Sequence, residues 1–266
     1  MNIRIVLGVS AAALLLPAGA AFGHAGFLLP NSLTVPEGGK VTVVASFSDR
    51  FPDPETALHS DSFTIISPDG QLAPFDRVEP FSTLTMLESQ LGATGVYRFS
   101  TGERLGRKGA VALVEGTFVR LGADGVDPEN LPAETEHLTS QTATLSESIV
   151  IVGQADLPPL IKTDSRLSIS IATDAEPFRT GTPISVTVTF EGQPLAGAEL
   201  AVIEAYDGSA GKEDGDIYRT DEVGKALITL DRTGPFTLLV RHISNAPDGA
   251  ETDVRSYSTT LTLPAV

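Results

Sequence analysis

Histidine is scarce in this chain, and the positions of its few copies decide what chemistry the sequence can offer. Four occur in 266 residues: His24, His59, His137 and His242. His24 stands out because of what precedes it. Arg4 is followed by an apolar run from Ile5 to Leu16, then by Pro17 and small residues up to Gly23. A short positive region, an apolar region and a small-residue cleavage site are the three parts of a secretory signal peptide, so residues 1–23 are expected to be removed. A cut after Gly23 would make His24 the first residue. Its free amine and its ring nitrogen could then close a chelate on one metal ion, and imidazole suits nickel, copper, zinc and cobalt. Cuts after Ala20 or Ala21 would leave His24 inside the chain, and a cut after Ala25 would remove it. The sequence leaves these alternatives open.

His242 ends an expected strand, Phe236-Thr237-Leu238-Leu239-Val240-Arg241-His242, and is the natural second ligand. The two histidines lie far apart in sequence, so their meeting is an expectation about the fold. Asp49, in Ser48-Asp49-Arg50-Phe51-Pro52, and His59, in Leu58-His59-Ser60-Asp61, are further metal candidates. Both fall in one loop after the first clear strand, and loops hold most functional residues. Each candidate has a plainer competing role. His24 could be an ordinary exposed terminus, His242 a hydrogen-bonded sheet residue, Asp49 a turn cap or a partner of Arg50, and His59 simply exposed. His137 lies in an acidic stretch and is assigned no role. The loop Asp207 to Asp216 is dense in oxygen donors, but it lacks the alternating ligands and closing Glu of a helix-loop-helix calcium site. It reads as a solvated hairpin loop.

Much is excluded. The chain has no cysteine, so disulfides, thiolate metal sites and thiol catalysis are ruled out. It has no Gly-x-Ser-x-Gly elbow, no His-Glu-x-x-His and no phosphate loop, and a non-catalytic protein is expected. The 34 acids against 18 bases give a net charge of −16, which repels nucleic acid and anionic lipid. Tryptophan is absent, which removes the usual platform for sugar stacking.

The elements that must position these residues are β-strands. Short β-branched runs bounded by Gly, Pro and Asp recur along the chain, the signature of sandwich strands. They include Lys40 to Phe47, Phe63 to Ile66, Gly95 to Phe99 and Ala110 to Phe118. The segment Gly122 to Thr144 is acidic and weakly patterned, and Ser148 to Val152 reads as a closing strand. Residues 154–162, with Pro158-Pro159, read as a linker. Beyond it, Ile184 to Phe190 alternates with a period of two, Glu191-Gly192 marks a hairpin, and Thr220-Asp221-Glu222-Val223-Gly224 marks a turn. The expected fold is all-β, with two immunoglobulin-like β-sandwich domains after a cleaved signal peptide. The first would span residues 24–153 and the second 163–266.

Several of these stretches resemble a known family. His24-Ala25-Gly26-Phe27-Leu28-Leu29-Pro30 followed by Val35-Pro36-Glu37-Gly38-Gly39 is similar to the mature start of the periplasmic nickel- or cobalt-uptake-associated family. So are the turns Gly192-Gln193-Pro194-Leu195-Ala196-Gly197-Ala198 and Thr220 to Ala226, the strand Leu239-Val240-Arg241-His242, and the ending Tyr257 to Leu263. The resemblance covers most of the chain beyond residue 23, although turn and strand chemistry fixes a fold better than a function. It implies a periplasmic or secreted protein that binds a divalent transition metal, nickel or cobalt, through His24 and His242. Its partner would be a membrane metal transporter or another envelope protein, with no direct membrane insertion once the leader is removed. A different class of function stays open beside it: a non-catalytic structural or interaction module of the envelope, without metal.

Overall fold

The computed structural model describes residues 24–122, 125–153, 165–172, 178–205 and 215–265. The expected leader and linker, and the Asp-rich loop except Gly215 and Asp216, lie outside the described residues. The protein is all-β, and the one helical element described is the single 3-10 turn Pro128–Asn130. The strands form three sheets, of five, eleven and four strands among the described residues.

One strand organises them. Glu136–Val152 runs for 17 residues through the middle of the eleven-stranded sheet. It pairs antiparallel with Gly95–Ser100 and parallel with Val254–Ala265, from Ser140 opposite Val254 to Ser148 opposite Thr262. Successive side chains of a strand point to opposite faces, so this strand serves two cores. Val150 and Val152 join one core, with Leu28, Val41, Val43 and Leu87 of the five-stranded sheet. Ala143, Ile149 and Ile151 face the other core, with Ile169, Val186 and Val188 of the four-stranded sheet. The molecule is therefore two sandwiches sharing a central layer. Neighbouring residues of Val254–Ala265 show the same alternation: Thr259 donates to Leu167 O (2.8 Å) in the four-stranded sheet, and Thr260 donates to Gly26 O (2.7 Å) in the five-stranded one.

The sharing explains where the sequence pattern misleads. The expected loose segment 122–144 in fact contains the first half of the central strand. Ser140 and Thr144 are buried there, as are Ser146, Glu147 and Ser148 just beyond, so polar residues occupy interior positions of the strand and the usual alternation is lost. Ala110 to Phe118, expected as one strand, is a hairpin of Arg104–Val114 and Thr117–Arg120. Its turn falls at Glu115 and Gly116, with φ of 49° and 81°. Lys40–Ser48, Thr64–Ile66 and Gly95–Ser100 form close to where they are expected, and the Glu191-Gly192 turn joins the Ile184–Phe190 and Gln193–Pro194 strands.

Close approach of the layers also has a residue-level cause. A Cβ on Gly26 would lie 2.6 Å from Ser146 Oγ of the central strand, so only glycine lets the two sheets come this near.

The middle layer holds a buried ion pair. Arg98, on Gly95–Ser100, contacts the carboxylate of Glu147 and donates to Ile169 O at 3.1 Å, and their side chains are 3% and 0% exposed. One guanidinium thus ties two strands of the central sheet to the four-stranded sheet. Breaking a buried pair strands a charge in low dielectric. Glu147→Gln should therefore destabilise the protein by about 3–5 kcal/mol. The check is urea unfolding of both proteins, where both cores should be lost in one transition because they share a strand. A loss below about 1 kcal/mol, the range of a surface pair, would contradict the assignment.

Candidate metal centre

The site forms where three strand ends meet. Lys40–Ser48 pairs on one side with Ala25–Pro30, placing Ala25 opposite Ser48. On the other side it pairs with Thr56–Ala57, placing Phe47 opposite Thr56. One further residue along each register brings His24 opposite Asp49 and Glu55 opposite Ser48. The chain between them, residues 49–55, folds back as a short loop. Asp53 N–H donates to Arg50 O (2.8 Å) and Glu55 N–H to Phe47 O (3.2 Å). Phe51 is buried, its ring edge-to-face with Phe27 at 5.3 Å. Ser48 Oγ accepts from Arg50 N–H (2.8 Å) and donates to Glu55 Oε1 (3.3 Å). That hydrogen bond holds one carboxylate oxygen and leaves Oε2 turned towards His24.

His24 Nδ1 lies 3.0 Å from Asp49 Oδ1 and 3.4 Å from Glu55 Oε2. The three ligand atoms all fall within 4.8 Å of one another. An ion bound at about 2.1 Å holds adjacent ligand atoms about 3.0–3.4 Å apart, so the spacing fits one cation. One imidazole and two carboxylates, with no sulfur, suit borderline divalent ions such as nickel, cobalt and zinc better than soft ones. Three protein ligands leave positions open for water or another molecule. Stability alone accounts poorly for the arrangement. The His24 and Asp49 side chains are about half exposed and Glu55 a third, and exposed pairs contribute about 0–1 kcal/mol. Nδ1 is also the ring nitrogen close enough to its own backbone nitrogen to share an ion with it.

The structure thus joins His24 and Asp49, and it adds Glu55, which the sequence reading missed. The signal for Glu55 was register. A turn folding back from Ser48 to a strand at Thr56 must set Glu55 beside the end of Lys40–Ser48. His242 is not brought to this group. It pairs with Tyr257 and shares the strand face of Leu238 and Val240, which points into the core under the four-stranded sheet. Its ring packs on Phe190 at 4.5 Å. His24 belongs to the layer on the opposite face of the central sheet, so strand alternation separates the expected pair. His59 is exposed in the loop after Thr56–Ala57 and outside the donor group, and His137 is exposed on the central strand.

An all-β protein of three stacked sheets with an exposed His-Asp-Glu cluster at one strand-end corner defines the class. The chain belongs to the family of the domain of unknown function DUF4198, whose profile matches residues 21–244. No curated protein matches the sequence significantly. Among solved structures it is similar to trypsin-activated alpha-2-macroglobulin from Escherichia coli, at 13% identity and a TM-score of 0.24, over 91% of this chain and 16% of that one. It is also similar to the Yersinia pseudotuberculosis adhesin InvE, at 16% identity and 0.23, over 89% and 58%. Murine CEACAM1b matches at 11% identity and 0.21, over 91% and 100%. The chain thus spans less than two thirds of the first two, and the fold described above rests on its own strand pairing.

Burial of His242 against Phe190 lowers its pKa, because the charged ring would lose its hydration. The unfolded chain therefore binds this proton more readily than the folded one, and His242 makes stability fall as pH drops through about 6.5 and below. His242→Gln should flatten the decline in melting temperature between pH 7 and 5. An unchanged slope would show that the ring does not stay neutral in the fold.

Proposed function

We propose that this protein is exported to the periplasm or outside the cell and there binds a divalent transition metal, nickel or cobalt, at His24, Asp49 and Glu55. The observation that carries this reading is the convergence of His24 Nδ1, Asp49 Oδ1 and Glu55 Oε2 at metal-ligand spacing. The leader-like residues 1–23 and the resemblance of the His24 to Gly39 stretch to metal-uptake proteins support it further. Removal of the leader after Gly23 would add the α-amine of His24 as a fourth donor and close a chelate with Nδ1. The protein would then act without catalysis, holding the ion for a membrane transporter or another envelope protein.

Native intact mass of the exported protein, before and after nickel addition, tests the reading. The expected result is a chain starting at His24 that carries one ion. His24→Ala should lose the ion, and Asp49→Asn or Glu55→Gln should weaken binding by roughly ten- to a hundredfold, as for groups that orient or complete a metal site. A wild-type protein that takes up no nickel or cobalt, or a His24→Ala variant that retains the ion, would contradict it.

A further inference from the structure

The neighbourhood of the metal site holds a cation with an unused binding edge. Arg104 begins the Arg104–Val114 strand and is half-buried. Its guanidinium carbon lies 5.3 Å from the centroid of the Phe47 ring, a cation–π arrangement. It forms no ion pair or side-chain hydrogen bond with a described residue, in a chain of net charge −16. Arg98, Arg166 and Arg219 by contrast each meet a carboxylate. Burial depresses the pKa of Arg104, with no acid opposing the shift. The contact with Phe47 engages the cation without a carboxylate, and the guanidinium N–H fork matches a carboxylate in bidentate fashion.

Strand geometry sets the aromatic partner of this cation on the face that carries the proposed metal ligands. Phe47 pairs with Gly26, and Asp49 meets His24 two residues further along, on the same face. Two residues along a strand span about 6.6 Å. A chelating acid of three to six carbons spans a gap of that order and can set one end on a metal and the other on an arginine. The three protein ligands leave coordination positions for it.

We propose that the site takes its metal as a complex with a small di- or tricarboxylate, in which Arg104 receives a carboxylate of the chelator while His24, Asp49 and Glu55 hold the ion. This rests on the metal reading above and names the form in which the ion is taken. Arg104 is then a specificity residue for the chelate and makes no contact with the metal.

The test titrates wild-type protein, Arg104→Gln and Arg104→Lys with nickel chloride alone, sodium citrate alone and the equimolar mixture, by native mass spectrometry and calorimetry. Wild type should bind nickel alone, and with the mixture it should carry protein, nickel and citrate together. Arg104→Gln should keep its nickel affinity within about twofold but bind the mixture roughly tenfold more weakly, the scale of a lost charge-assisted hydrogen bond. Arg104→Lys, which keeps the charge without the fork, should fall between them, and it decides the question if Arg104→Gln does not fold. Citrate stripping nickel from the wild type, or equal ternary binding by the variants, would overturn the proposal and leave the metal reading standing. Wild type that binds nickel in neither form would overturn both.

Discussion

The buried contact between Arg98 and Glu147 is the constraint on which the rest depends. Both side chains sit inside the middle layer, where removing a charge from water costs several kcal/mol even after relaxation. Such a pair is tolerated only when its partners are fixed. Here Arg98 comes from Gly95–Ser100, Glu147 from the central strand, and the accepting carbonyl of Ile169 from the four-stranded sheet. A slip of one residue in any of these strands would turn a charge to the other face and leave it unpaired. The pair therefore specifies register across two sheets more than it adds net stability. Its incomplete satisfaction agrees with this: Glu147 Oε1 is buried with no partner among the described residues. The surrounding apolar cores must offset that cost.

The candidate metal corner inherits its geometry from this frame. The five-stranded sheet is held against the central layer by the Thr260 to Gly26 hydrogen bond and by the absence of a side chain at Gly26. Two residues before Gly26, His24 emerges from the end of the same strand. Asp49 and Glu55 leave the neighbouring strand ends, and Phe51 is pinned against Phe27 between them. Three donors on exposed chain ends are thus held by buried anchors one or two residues away. That arrangement gives an accessible site anchored by buried neighbours, as the proposed binding of an exchangeable ion would require.

Much of the fold was legible in local pattern. Period-two alternation gave Ile184–Phe190, and turn chemistry gave the Glu191-Gly192 hairpin and the Asp221 turn, where Asp221 Oδ1 accepts from Val223 N–H (3.0 Å) and Lys225 N–H (2.8 Å). What escaped was decided by layering. The central strand is covered on both faces, with buried hydroxyls on one and the Glu147 carboxylate on the other, so its part up to Thr144 reads as a loose polar segment when considered alone. His242 is the expected partner of His24 because it ends an expected strand that resembles the metal-uptake family. Which face of a shared sheet each occupies is settled by tertiary pairing, and it sets them apart. Asp49 was found by its loop position, whereas Glu55 needed the register of a two-residue strand that composition does not announce.

Crystallography of the nickel-soaked protein, with anomalous data at the nickel edge, tests the central claim most directly. A single anomalous peak about 2.1 Å from His24 Nδ1 and from one oxygen each of Asp49 and Glu55 is the predicted result. A peak elsewhere, at His242 or His59, or none at this corner at saturating nickel, would contradict it.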